Sequence, residues 1–98
     1  MIARTWRGST NSANAAKYAE YVRETGIAGY LATPGNLGAH VLFRLQEDRA
    51  EFLVLSFWES IDSVRAFAGD PYDRAVFYPQ DEAFLIERDV TAFHWLVG

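Results

Sequence analysis

The sequence predicts an α+β protein of the ferredoxin-like βαββαβ class, with a four-stranded antiparallel sheet and both helices on one face. Three observations support this fold class. Alternating apolar and polar residues mark four strand segments, helical spacing of apolar residues marks two segments between them, and a short polar link joins the two middle strands. Residues 1–98 are expected to form a single domain.

The first strand and the first helix follow directly from side-chain periodicity. Residues 2–7 alternate as a strand, and the segment from Gly8 to Asn11 is predicted to end it. A helix is predicted from Ser12, with Asn11 or Ser12 as the N-cap and Gly26 as its stop. Its buried stripe consists of residues at helical spacing: Ala15, Tyr18, Ala19 and Val22.

The middle of the chain is predicted to form a β-hairpin. Residues 27–38 contain Pro34 and several glycines without a clear period, which indicates a turn-rich connection. Residues 39–46 alternate as a half-buried strand. The polar link Glu47-Asp48-Arg49 then leads into a strand ending at Trp58, which indicates antiparallel pairing.

The strand from Phe52 to Trp58 is apolar on both faces, which is unusual for a sheet with helices on one side only. Phe52, Val54, Ser56 and Trp58 share one face, and Leu53, Leu55 and Phe57 share the other. The helices of the chain can cover one face. We therefore predict a homodimer in which a second copy covers the open face, with a pocket between each sheet and its own helices.

The last third of the chain is predicted to contain a helix, a second helical segment and a strand. Ser60 caps the helix and Gly69 closes it. Asp70 and Pro71 are expected to start a second helical segment that ends at Pro79, followed by a polar connector over residues 80–83. A final strand is predicted from residue 84 or 85 to Val97.

Composition argues against several functional classes. The net charge of −4 and the scattered arginines are unlike the basic surface of a nucleic-acid or anionic-membrane binder. The chain has no cysteine, so thiolate chemistry is excluded, and no His and carboxylate pair has metal-ligand spacing. A metal site is therefore not expected. No signal peptide or membrane-spanning run is present, which favours a cytoplasmic protein.

Five residues are candidates for a site on their own chemistry. His40 and His94 are each either a core or interface histidine or a proton acceptor near neutral pH. Trp58 is either a core aromatic or part of a pocket wall. Tyr72 and Tyr78 are either boundary aromatics or hydroxyl donors to a ligand oxygen.

The run LSFWESIDSVRAF resembles the strand-to-helix segment of the antibiotic biosynthesis monooxygenase family, and AGDPYDRAVFYPQDEAF resembles its following segment. The resemblance covers nearly the whole chain and implies a dimeric α+β barrel. It also implies a pocket for a small aromatic or hydrophobic ligand, with Trp58 in its wall. The fold hosts many functions, so the activity must be argued from residues.

Carried over residue by residue, the resemblance leaves most of the family's polar pocket groups without a match. Val54 stands where the cofactor-independent, quinone-forming oxygenases have an Asn, Val64 stands where they have a pocket Tyr, and Arg44 lies near their strand histidine. In the heme-degrading branch, the matches are Phe67 for a helical Trp and Phe77 for the heme-ligating His. Heme is therefore not expected. We expect Arg44, Phe67 and Phe77 to line the pocket.

Two functional hypotheses follow. The first is a cofactor-independent monooxygenase acting on a quinol- or phenol-like compound. In this hypothesis Trp58, Tyr72 and Tyr78 shape the pocket, and His94 or His40 moves a proton. The second is a non-catalytic dimeric module that binds a small hydrophobic ligand or senses a metabolite. Val54, in place of the Asn, favours the second.

Overall fold

A computed structural model describes residues 1–98 as an antiparallel sheet of five strands with helices packed on one face. The sheet order is β2-β3-β1-β4, with β5 also paired to β1, which is the predicted ferredoxin-like arrangement. The predicted α+β class is thus confirmed, with the last strand divided in two. The strands are β1 (Ile2–Asn11), β2 (Asn36–Gln46), β3 (Arg49–Trp58), β4 (Leu85–Arg88) and β5 (Phe93–Leu96).

The first helical region is longer than the sequence predicts. After a 3-10 turn (Ser12–Asn14), helix α1 (Ala15–Val22) continues through a π-helical turn (Arg23–Ile27) into α2 (Ala28–Ala32). The predicted stop at Gly26 is wrong because Ile27 and Tyr30, just beyond it, are buried against the sheet. Burial of these two side chains outweighs the preference of glycine for a helix end.

Helix α3 (Ile61–Ala68) begins and ends as predicted. The Ser60 hydroxyl accepts a hydrogen bond from the Ser63 backbone N–H at 3.2 Å, and the Ser63 hydroxyl accepts one from the Ser60 N–H at 3.2 Å. This reciprocal cap satisfies donors that the first helical turn leaves free. Gly69 follows the helix with φ of 77°, a conformation that glycine adopts without steric cost.

The predicted helical segment from Asp70 to Pro79 is wrong, because residues 71–79 form turns and extended chain. The backbone of this segment pairs with the end of the sheet instead. The Ala75 N–H donates to the Val90 carbonyl at 2.9 Å, and the Ala92 N–H donates to the Asp73 carbonyl at 2.7 Å. The fourth helix, α4 (Asp81–Phe84), lies in the predicted polar connector.

The same pairing explains why the final strand is divided. Residues 89–92 leave the regular ladder, where the Asp89 N–H donates to the Arg7 carbonyl at 3.0 Å and the Trp6 indole donates to the Asp89 carbonyl at 2.7 Å. Both β4 and β5 pair with β1 of the same chain, antiparallel to it. The C-terminal strands therefore stay in their own sheet.

The two faces of β3 differ in the way that its alternation predicts. Phe52, Val54, Ser56 and Trp58 are buried beneath the helices, and the residues between them are half-buried. We call the other side of the sheet the open face; its apolar members are Leu42, Leu53, Leu55, Phe57, Phe93 and Trp95. No helix of this chain has the length and hydropathy that crossing a membrane requires.

Candidate functional site

A small cavity lies between the sheet and the helices. Its volume is about 40 Å³, enough for a few water molecules but not for an aromatic ring. Most of its wall is hydrophobic, and two charged side chains, Arg4 and Asp81, also line it. The aromatic members of the wall are Trp6, Tyr18, Tyr30, Phe67, Phe77 and Tyr78.

Arg4 is a buried cation at one end of this cavity. Its side chain comes from β1 on the helix-covered face, and only 1% of the residue is exposed. Its Nη1 donates to the Tyr72 carbonyl at 2.8 Å, and its Nη2 donates to the Arg74 carbonyl at 3.0 Å. The guanidinium thus donates to two carbonyls of the non-helical segment over residues 71–79. It forms no ion pair with a carboxylate.

His94 lies on β5 directly beside Arg4 on the sheet. Arg4 Nη1 and His94 Nε2 are 3.0 Å apart, and because a guanidinium can only donate, the imidazole nitrogen is the acceptor. Burial, together with the nearby charge of Arg4, lowers the pKa of His94. The neutral ring packs edge-on against Tyr72, with 5.0 Å between ring centroids. Arg4 and Tyr72 therefore hold a neutral histidine in place.

A buried carboxylate and a phenol form the second polar pair of the cavity. Tyr18 donates its hydroxyl proton to Asp81 Oδ1 at 2.9 Å, and the Tyr78 backbone N–H donates to Asp81 Oδ2 at 2.6 Å. Burial and then the Asp81 charge strongly raise the pKa of Tyr18, so this phenol stays protonated. The pair places a hydrogen-bonded carboxylate against an otherwise apolar wall.

Trp58 lies in the core and does not line the cavity. It is 0% exposed, and its indole N–H donates to the Ser56 hydroxyl at 2.9 Å. Tyr30 packs edge-on against it with 5.6 Å between centroids, and Phe67 lies 6.1 Å away. The only polar atom of Trp58 is therefore engaged within the core.

The other predicted site residues separate into two groups. Phe67, Phe77 and Tyr78 line the cavity. Tyr72 and His94 do not line it, but both contact Arg4, which does. His40 and Arg44 lie on the opposite, open face, where His40 pairs in register with Leu55 and Arg44 bonds Glu51 at 3.2 Å. The structure therefore does not bring these two residues into the pocket, because their β2 register points them away from the helices.

Sequence reasoning missed three residues of the site: Arg4, Tyr18 and Asp81. Arg4 shares a strand face with the buried Ile2 and Trp6, so a charge at an inward position was the available signal. The partner of Tyr18 is 63 residues away along the chain, and no local pattern predicts that pairing.

A heme group does not fit this site. Phe77, at the matched position, has no atom that ligates iron. His94 Nε2 is engaged by Arg4, and His40 lies on the open face. The cavity of about 40 Å³ is also far too small for a porphyrin. No three His, Asp or Glu side chains converge into a metal-binding group.

The model of the family described as antibiotic biosynthesis monooxygenase matches residues 1–77 of the chain. No curated protein matches it in sequence.

Solved structures share the fold at low sequence identity. A Bacillus cereus protein provisionally assigned as an antibiotic biosynthesis monooxygenase has 15% identity and a TM-score of 0.68, covering 99% of this chain and 94% of that one. SnoaB, a cofactor-independent oxygenase from Streptomyces nogalater, has 20% identity and a TM-score of 0.60, with coverage of 99% and 90%. The heme-degrader MhuD from Mycobacterium tuberculosis, with two hemes bound in its active site, has 18% identity and a TM-score of 0.58, with coverage of 99% and 95%.

Proposed function

The chain belongs to the antibiotic biosynthesis monooxygenase family, and on that premise we propose that it is a cofactor-independent monooxygenase acting on a small quinol- or phenol-like compound. The observation that carries the proposal is the aromatic-walled cavity with a buried carboxylate in it. An electron-rich aromatic that loses a proton becomes a better electron donor to O2. In the overall reaction one oxygen atom enters the substrate as a carbonyl, and the other leaves as water with the two hydrogens removed.

Asp81 is the proton acceptor in this proposal. It lines the cavity, and its two hydrogen bonds leave lone pairs free on both oxygens. His94, one of the two predicted bases, is less suited because Arg4 occupies its Nε2 acceptor position, and because burial, together with the Arg4 charge, lowers its pKa. We assign His94 the role of positioning Arg4 and Tyr72 at the end of the cavity.

A substrate ring enters by displacing part of the wall. Phe77 and Tyr78 belong to the non-helical segment over residues 71–79. Backbone hydrogen bonds hold this segment, from the Ala75 N–H to the Val90 carbonyl and from the Asp81 N–H to the Tyr78 carbonyl. Movement of these two aromatic side chains enlarges the cavity without breaking a helix or a strand. Tyr78 lines the cavity, so its phenol can donate a hydrogen bond to a ligand oxygen.

The test is oxygen uptake with a panel of naphthols and anthrone-like quinols. Asp81→Asn is expected to lower kcat by about 10²- to 10⁴-fold, the usual contribution of a positioned base, while the exposed Asp48→Asn keeps the wild-type rate. The panel also includes His94→Ala and Trp58→Phe. Full turnover by Asp81→Asn would remove the carboxylate from the mechanism, and absence of turnover with every substrate would reject the oxygenase.

The proposal includes a homodimer formed through the open face. Trp95 and Phe93 are more than half exposed there, beside the half-buried Leu53, Leu55 and Phe57. A contiguous apolar surface of this kind is typical of a protein interface. Light scattering at micromolar concentration is expected to give twice the chain mass of 11.1 kDa, and a monomer would contradict the dimer.

A non-catalytic ligand-binding module is the second candidate function. It is favoured by Trp58, whose indole N–H is already bonded to Ser56 and so is not free for a ligand. In this case an aromatic compound is expected to bind saturably, as measured by the intrinsic fluorescence of the protein, and no oxygen is consumed with any quinol. Uptake that depends on Asp81 would exclude it.

A further inference from the structure

Arg4 contains a hydrogen-bond donor that no group in the protein satisfies. Its Nε is the only buried side-chain nitrogen or oxygen without a partner. A guanidinium has five N–H donors in a planar fork, and the bonds to Tyr72, Arg74 and His94 all come from its two terminal nitrogens. Buried polar groups are nearly always paired, so this donor requires an explanation.

The charge of Arg4 is also uncompensated. Its three partners are two carbonyl oxygens and a neutral imidazole, and no carboxylate lies within ion-pair distance. The arginines that do form ion pairs are all at least partly exposed on the surface, where water screens their charge. A buried cation without a counter-ion is unfavourable in the free protein, and an anion from outside would relieve both this and the unpaired donor.

The place where such an anion would bind is the cavity, once Phe77 and Tyr78 have moved to enlarge it, because Arg4 lines it. Asp81 also lines the cavity, but it is bonded to Tyr18 and Tyr78 and forms no ion pair with Arg4. The rest of the wall is mainly aromatic. A ligand that complements this wall has an aromatic body and one negatively charged oxygen at the Arg4 end.

We propose that Arg4 binds an anionic oxygen of the ligand, so that the cavity selects aromatic compounds bearing a phenolate, enolate or carboxylate. The inference rests on the proposed function and gives it a substrate class. Binding of the oxyanion stabilises the ionised form of a phenol or quinol, which is the form that donates electrons to O2. Asp81 then accepts the proton, and Arg4 stabilises the negative charge that the proton leaves on the ligand oxygen.

The experiment compares benzoate with benzamide, an uncharged molecule of the same shape, by isothermal titration calorimetry. Wild type is expected to bind benzoate about tenfold more tightly, since a charge-assisted hydrogen bond is worth about that ratio. Arg4→Gln is expected to bind the two compounds equally. Arg7→Gln is the matched control, because Arg7 lies three positions further along β1, on the open face, and is exposed; this variant is expected to keep the wild-type ratio.

A second measurement does not depend on the folding of Arg4→Gln. In the wild-type protein the Arg4 Nε–H is buried, so its ¹⁵N–¹H resonance exchanges slowly with water and can be recognised among the arginines. Benzoate is expected to shift this resonance downfield, and benzamide is expected to shift it less. Equal effects of the two compounds would overturn the oxyanion site.

The outcomes also separate this inference from the proposed function. Equal binding of benzoate and benzamide, with oxygen uptake that depends on Asp81, would overturn the role of Arg4 and leave the oxygenase intact. Binding of neither compound at millimolar concentration would overturn both the oxyanion site and the aromatic-ligand cavity. Preference for benzoate without any oxygen uptake would support Arg4 and favour the binding module.

Discussion

The two histidines of the protein show how differently the two faces of its sheet are built. His94, on the helix-covered face, contacts a buried arginine and has a lowered pKa. His40, on the open face, is exposed and pairs in register with Leu55. Residue type alone therefore does not indicate a site here. The polar groups that can act together are those that the helices shield from water, where charges interact more strongly.

The largest difference between the faces is expected in the two tryptophans. Trp58→Ala removes a residue that is 0% exposed and is expected to lower the free energy of unfolding by about 3–5 kcal/mol, the usual cost of a large core cavity. Trp95→Ala, on the open face and 58% exposed, is expected to cost less than about 1 kcal/mol at a protein concentration where the chain is monomeric. Urea denaturation measures both, and equal losses would contradict the assignment of Trp58 to the core.

The open face is expected to respond in assembly rather than in stability. Leu42→Asp places a charge at a position 46% exposed on that face and is expected to weaken dimerisation by about 100-fold, through desolvation of the carboxylate. Leu31→Asp, 60% exposed in α2, is the matched control and should leave dimerisation unchanged. Analytical ultracentrifugation over a concentration series measures the dissociation constants. An unchanged value for Leu42→Asp would place the interface elsewhere.

A smaller effect is expected when the buried phenol of the covered face is truncated. Tyr18→Phe leaves Asp81 Oδ1 without its donor and is expected to cost about 1.5–3 kcal/mol of folding free energy. Tyr72→Phe removes a phenol whose hydroxyl makes no hydrogen bond in the structure, so it serves as the control with a loss below about 0.5 kcal/mol. Thermal denaturation followed by circular dichroism compares the two variants, and a similar loss in both would contradict the Tyr18–Asp81 bond.

The smallest expected effect is the pH dependence that His94 contributes. Its folded-state pKa lies below the unfolded value of about 6.5, so the unfolded chain binds the proton more readily. The free energy of unfolding therefore falls as the pH drops below about 6.5, with a slope of at most about 1.4 kcal/mol per pH unit from this one group.

His94→Asn is expected to remove this part of the slope between pH 6.5 and 5. His40→Asn is the matched control on the open face, and it keeps the slope because His94 is intact. Urea denaturation at several pH values measures the slopes. The same slope for His94→Asn and wild type would contradict a lowered pKa of His94 in the folded protein.

Local sequence predicted the elements whose signals are local. The alternation of β3 and the cap at Ser60 were both confirmed, since each depends on residues within a few positions. The helix predicted from Asp70 was wrong because its backbone pairs with residues 90–92, close in space but distant along the chain. The extension of the first helix beyond Gly26 was missed for the same reason. Tyr30 packs edge-on against Trp58, which is distant along the chain.

The candidate site was predicted only in part. Phe67, Phe77 and Tyr78 do line the cavity, which follows from their places in segments that cover the sheet. His40 and Arg44 do not, because the register of β2 turns them to the open face. Side chains alternate with a period of two along a strand, so one step of register decides which face a residue occupies.

The sequence by itself determined the ferredoxin-like order of strands and helices and the two apolar faces of β3, because periodicity and capping are properties of neighbouring residues. The tertiary structure alone decided which polar groups meet. Arg4 reaches carbonyls of Tyr72 and Arg74, and Tyr18 reaches Asp81, across separations of more than sixty residues. Burial beneath the helices then gives these groups their chemistry, because a charge away from water must find its partner within the fold or in a ligand.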